Sequence, residues 1–198
     1  MLKTLPLCLC AAAALALGGC GDGSDANKAG TGPAASDAGG QTIAQTLDQN
    51  GKFFQAAKAV GLDSTLAGTG PYTVLVPSDD AFAKLQAGAL ADPANPQNRA
   101  EITRVLTYHI LPGVILSDDI GKAIDNGDGK ALLATMGGET VTATKSGDTI
   151  IVSDGSGGKA TITKADIKAS NGVIHDVDAV LTPPKAATGA AQETNSAG

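Results

Sequence analysis

The sequence predicts an α+β fold in which a helical first half packs on antiparallel β-sheets built mainly from the second half. Two observations predict it. Apolar residues recur at helical spacing as far as residue 109, and from residue 140 onward β-branched residues alternate with polar ones between Gly- and Asp-containing turns. One strand, residues 72–76, interrupts the helical part.

Taken in order, Ile43 and Leu47, then Phe53, Phe54, Ala57 and Val60, predict two short helical pieces broken near Asn50-Gly51. Gly61 suits the left-handed cap that ends a helix. Tyr72-Thr73-Val74-Leu75-Val76 is aromatic and β-branched, which predicts a buried strand, and Pro77 stops it. Ser78 then caps a helix, with Asp79 and Asp80 in the first turn where the helix dipole favours negative charge. Asn95-Pro96 opens a further helix over 96–109, with Ile102, Val105, Leu106 and His109 along one face.

Beyond it, Thr140 to Thr144, Thr149 to Val152 and Ala160 to Thr163 read as strands. Ser146-Gly147-Asp148 and the run Asp154 to Gly158 supply the turns between them. A last strand is predicted over Val173 to Leu181, stopped by Pro183-Pro184. Asn171-Gly172 before it suits a tight turn at positive φ.

The flanks differ in character. Lys3, an apolar run from Leu5 to Leu17 and the small pair Gly18-Gly19 predict a signal peptide over 1–19. That run is too short for a mature span, which needs about 20 residues. Leu17-Gly18-Gly19-Cys20 resembles the lipobox of bacterial lipoproteins, which implies cleavage before Cys20 and a lipid on its thiol. Residues 20–40 hold no large apolar side chain and predict a flexible tether. The domain is expected over 41–184, and 185–198 as a disordered tail. Gly21, and not Asp, follows Cys20, so the outer membrane is the expected address in a host that has one.

Composition excludes several function classes. All three cysteines, Cys8, Cys10 and Cys20, lie at or before the expected cut. The domain therefore has no disulfide framework, cysteine metal site or cysteine nucleophile. With 14 basic against 20 acidic residues the net charge is −6, which argues against nucleic acid and against a polybasic membrane patch. No G-x-S-x-G elbow and no phosphate-binding G-x-x-x-x-G-K-[ST] loop is present. Asp125-Asn126-Gly127-Asp128-Gly129 lacks the register and terminal Glu of a calcium loop and reads as an acidic turn. His175 neighbours Asp176 and Asp178, yet adjacent side chains on a strand point to opposite faces. A histidine hydrogen-bonded at a sheet edge is the expectation there. No metal or other cofactor is implied.

Three segments in order carry a family resemblance. Thr73-Val74-Leu75-Val76-Pro77-Ser78-Asp79-Asp80-Ala81-Phe82, the pair Tyr108-His109, and Asn171-Gly172-Val173-Ile174-His175-Asp176-Val177-Asp178-Ala179-Val180-Leu181-Thr182-Pro183 resemble the motifs of the fasciclin (FAS1) domain family. Leu133-Ala134-Thr135-Met136-Gly137 is similar to the segment before its hairpins. Leu75 departs from a common Phe, and Asp176 from a common apolar residue. The resemblance implies one domain of two β-sheets with a helical layer, and a non-enzymatic role in adhesion or in binding a protein or glycan. It also marks Tyr108 and His109 as candidate binding residues. Their place on the apolar face of the 96–109 helix argues instead for burial and a structural task. A carrier of a small apolar ligand, held between helices and sheet, is the alternative function.

Overall fold

The computed structural model describes residues 40–84 and 95–184. The expected signal peptide over 1–19, Cys20, nearly all of the expected tether and the expected tail over 185–198 lie outside the described residues.

Three short helices come first: α1 (Ile43–Thr46), α2 (Lys52–Val60) and α3 (Asp63–Ala67). Phe53, Phe54, Ala56 and Ala57 form the buried face of α2. The helix ends where Gly61 adopts φ 83°, and the Leu62 N–H closes on the Ala57 carbonyl at 2.8 Å. Strand β1 (Tyr72–Pro77) follows, then α4 (Asp79–Lys84), whose first turn is bonded by the Ser78 hydroxyl to the Ala81 N–H at 3.2 Å. Asp79 also reaches back to accept the Lys52 N–H at 2.8 Å, so it caps α2 from another element.

The helix expected over 96–109 begins later. Pro96–Asn98 form a 3₁₀ turn, and α5 runs Arg99–Tyr108 with His109 as its cap. Strand β2 (Ile110–Pro112), helix α6 (Ser117–Asn126) and strand β3 (Lys130–Ala134) come next, none of them expected from the sequence pattern. Strands β4 (Thr140–Ser146), β5 (Thr149–Ser153), β6 (Lys159–Ala169) and β7 (Gly172–Val177) complete the domain.

The seven strands lie in the order β2-β1-β7-β6-β5-β4-β3. Neighbours are antiparallel with one correction to the sequence reading: β1 and β7 run parallel, from Tyr72 beside Gly172 to Pro77 beside Val177. Strand β6 is longer than the expected 160–163 because it serves both halves of the run. Its register shifts between Ile162 and Lys164 and again between Lys164 and Ile167, and such bulges let a sheet turn. The last strand stops at Val177, not Leu181. Beyond it Asp178 accepts the Thr161 N–H at 2.6 Å, while the buried Leu181 packs into the core.

The apolar interior has two parts. One gathers Ile43, Phe53, Phe54, Leu66, Ile102 and Leu106 between the early helices and the β1–β7 region. The other gathers Leu75, Tyr108, Ile120, Ile124, Val141 and Val152 beneath α6 and the β3–β6 hairpins. Helix α6 buries Ile120 and Ile124 there, two residues one turn apart.

Candidate functional site

The Tyr108-His109 pair sits where α5 gives way to β2, at the seam between the two apolar regions. Tyr108 is 0% exposed and His109 1%. Neither ring presents an atom to solvent. The Tyr108 hydroxyl donates to the Thr140 carbonyl at 3.0 Å, and burial raises its pKa above the ordinary tyrosine value. The His109 ring meets Phe53 edge-on, with centroids 6.2 Å apart.

Hydrogen bonds settle the form of the His109 ring. Its Nδ1 lies 2.7 Å from the Val105 carbonyl, an acceptor, so Nδ1 carries the proton. Its Nε2 accepts the Leu181 N–H at 3.1 Å. Burial in this setting lowers the pKa from 6.5 to about 4. His109 is a neutral splice between the end of α5 and the C-terminal segment.

His175 was expected at a sheet edge and is instead fully buried in the middle of the sheet. Its Nδ1 accepts the Asp166 N–H at 3.1 Å, and its Nε2 donates to the Ile115 carbonyl at 2.9 Å. Asp166, at φ 60°, turns its carboxylate to Ser117, accepting the N–H at 2.9 Å and also the hydroxyl. A serine, an aspartate and a histidine are thus neighbours, but the carboxylate bonds the serine and the ring bonds two backbone groups. The ring makes no bond to the Ser117 hydroxyl, so this is not the nucleophile–base–orienter chain of acyl transfer. It ties the start of α6 to the bulge in β6.

Other residues singled out from the sequence fall apart from one another. Asp125 pairs with Lys145 at 2.8 Å, and Asp128 adopts φ 55° in the turn leading to β3. Asn171 does not take the positive φ expected of it. Its amide donates to the carbonyls of Leu66 at 2.8 Å and Gly68 at 2.6 Å, and accepts the Ile43 N–H at 2.7 Å. Gly172 is required by close approach, since a Cβ there would strike the Tyr72 carbonyl. Asp154, buried in the turn after β5, accepts the N–H groups of Ser156, Gly158 and Thr182, each at 2.7 to 2.8 Å.

One concavity stands out that the sequence reading did not place. A cleft of about 330 Å³ opens between the α1–α2 connection and the ends of β1 and β7, with Leu47, Phe53, Phe54 and Val76 on its apolar side and Asp48, Asp79 and Asp176 at its polar side. Burial raises the Asp176 pKa, opposed by the nearby Lys164 and then His175. From the sequence Asp176 stood out as a departure from an apolar residue and as a neighbour of His175, not as part of a cleft. Cys20 lies outside the described residues.

A family model of the Fasciclin domain matches residues 48–183. The chain is 37% identical over 129 residues to protein sll1483 of Synechocystis sp., covering 65% of this chain and 64% of that protein. It is 33% identical over 143 residues to protein sll1735 of the same organism, covering 70% and 93%. With the transforming growth factor-beta-induced protein ig-h3 of Sus scrofa the identity is 34% over 152 residues, covering 75% of this chain but 20% of the relative. A solved FAS1 domain pair from the insect cell adhesion molecule Fasciclin I shares the fold, with a TM-score of 0.60 at 16% identity, covering 71% of this chain and 50% of that one. The chain therefore spans less than two thirds of sll1483, of ig-h3 and of the insect pair. With motifs, topology and matched span in agreement, the chain belongs to the fasciclin (FAS1) domain family.

Proposed function

We propose that the chain is a non-enzymatic adhesion or protein- or glycan-binding module of the bacterial cell envelope, held at a membrane by lipid on Cys20. Its membership of the fasciclin family over residues 48–183 carries this reading, and the FAS1 pair of similar fold comes from a cell adhesion molecule. The polar side chains described above support it, because His109, His175, Asp154 and Asn171 spend their hydrogen bonds inside the fold. Among the described residues no helix is long and apolar enough to cross a membrane. The lipid on Cys20 rests on the resemblance of Leu17-Gly18-Gly19-Cys20 to a lipobox. The full chain, immobilised and exposed to envelope extract and matrix components, should capture one partner saturably. A folded chain that captures none at any concentration tried would remove this reading.

The cleft between the α1–α2 connection and the sheet favours a second reading, a carrier of a small apolar ligand. Its volume of about 330 Å³ is at the lower end of ligand sites, and Phe53 and Phe54 contribute to its apolar side. Native mass spectrometry of the chain from its own host should then show an added mass that Phe54→Asp removes.

A further inference from the structure

The cleft beside the α1–α2 connection is lined by groups of one charge sign over an apolar wall. Leu47, Phe53 and Phe54 are buried along that wall and Val76 is half-buried. Three carboxylates, those of Asp48, Asp79 and Asp176, stand on the polar side, and no basic residue is among the described residues that line the cleft. Asp48 accepts the Asn50 N–H on one oxygen at 2.9 Å, and Asp79 accepts the Lys52 N–H on one oxygen at 2.8 Å. The other oxygen of each takes no hydrogen bond among the described residues. Asp176 is half-buried, and among the described residues its carboxylate forms no ion pair, even with Lys164, its register partner on β6. Burial raises the Asp176 pKa, and a cation seated in the cleft would oppose that rise.

The shape of the cleft says how such a cation arrives. Asp48, Ser78, Asp79 and Thr163 at its rim are exposed. A free small molecule binds where most of its surface is enclosed, and a cleft open along one side does not enclose it. A side chain offered by a partner needs only its stem and head covered, because the partner's own backbone closes the open side. A volume of about 330 Å³ is too small for a helix, which is about 10 Å across, and suits a long side chain. Arginine matches the two walls. Its methylenes lie on apolar surface while its guanidinium, always charged and weakly hydrated, sits among carboxylates.

The position in the sheet agrees. The Gln41 carbonyl takes the Ser170 N–H at 2.8 Å, just before β7 begins, whereas the cleft lies where β7 ends at Val177. The six residues of β7 place the two about 17 Å apart. A module held by the residues before Gln41 therefore carries the cleft at its far end.

We propose that this cleft receives an arginine side chain of the protein that the module binds, with the guanidinium among Asp48, Asp79 and Asp176 and the stem against Phe54 and Val76. The net charge of −6 draws a basic partner toward the chain, and the cleft gives it one defined seat. The inference rests on the binding-module reading and names the chemistry of the partner. It competes with the carrier reading for the same space.

The test titrates the full chain, in neutral detergent, with acetyl-Leu-Arg-Leu-amide while its amide signals are followed by NMR. Gly51, Phe54, Asp79 and Asp176 should shift saturably. The citrulline peptide, of the same shape without the charge, should bind about tenfold more weakly. Asp48→Asn and Asp79→Asn keep the oxygen that accepts the Asn50 or Lys52 N–H, so circular dichroism should show both folded. Each should weaken the arginine peptide by roughly two- to fivefold. Asp176→Asn, at the half-buried position, should weaken it by roughly tenfold. Shifts that do not saturate, or that fall outside the cleft, overturn the proposal, and so does a citrulline peptide that binds as well. If n-butylguanidinium binds as tightly as the peptide, the cleft belongs to a free small cation and the proposal falls. Partner capture from envelope extract that all three variants leave unchanged also overturns it, while the binding-module reading stands. A chain that seats the peptide but captures no partner supports the chemistry of the cleft and removes that reading instead.

Discussion

The Nε2 atom of His109 accepts the backbone N–H of Leu181 at 3.1 Å, joining the end of α5 to a segment 72 residues further along the chain. The bond needs a neutral ring, and burial keeps it neutral down to about pH 4. An unfolded chain binds that proton near the ordinary value of 6.5. Stability from this residue is therefore complete above about pH 6.5 and is lost as pH falls from there toward 4. The pKa difference amounts to about 3 kcal/mol in all. Urea unfolding at pH 7 and pH 4.5 should show this decline, and His109→Gln should flatten it while lowering stability at pH 7.

Tyr108→Phe should keep the packing and lose the bond to the Thr140 carbonyl. The expected cost is about 1 kcal/mol, the usual net worth of one hydrogen bond, here part-buried. Partner capture, measured well below the melting temperature of each protein, should not change. A selective loss of capture would instead give this pair a direct part in binding.

Asn171→Asp is isosteric but replaces the donating amide with a carboxylate facing the Leu66 and Gly68 carbonyls. Stability should fall by about 3 kcal/mol, with Asn171→Ala close behind. Thermal melts of the three proteins at pH 7 would measure it.

Asp176 works in the opposite sense to His109. Its pKa is raised, so the fold favours the protonated acid, and the stability this gives is lost as pH rises through that value. Asp176→Asn should therefore stabilise the chain at pH 7 and confer little at pH 3. Denaturation curves at the two pH values test the sign.

Cys20→Ala should abolish labelling by a radioactive fatty acid and release the chain into the soluble fraction. Labelling that survives the substitution would sink the lipid-anchor reading.

How far the sequence could be read depended on range. Gly61, Ser78 and Pro77 act through their own backbone or the next turn, and each sits where its local chemistry places it. The α+β class and three hairpin strands followed from periodicity in the same way. Asp79, Asp166 and Asn171 escaped because the N–H and carbonyl groups they serve belong to distant residues, which no local pattern reveals. Helix α6 was missed because Ile120 and Ile124 are its only large apolar residues, too few to form a visible stripe. The long β6 was cut short because its bulges break the two-residue alternation. The burial of His109 was expected from its spacing, although it caps the helix and does not lie within it, and its tie to Leu181 needed coordinates. The cleft was invisible for the same reason, although Asp176 was already conspicuous as an acid in an apolar motif.

The parallel pairing of β1 with β7 bears on how the chain is made and moved. The middle of the sheet joins the first strand of the domain to its last, Tyr72 beside Gly172. A polypeptide emerging amino end first, from a ribosome or through a narrow conduit, cannot seal that joint until its final strand is out. Until then β1 lacks a neighbour on one side, and the early helices lack the floor they rest on. Such a chain completes the middle of its sheet only once β7 has been made. Trimming even the last strand would forfeit the whole domain and not just its rim.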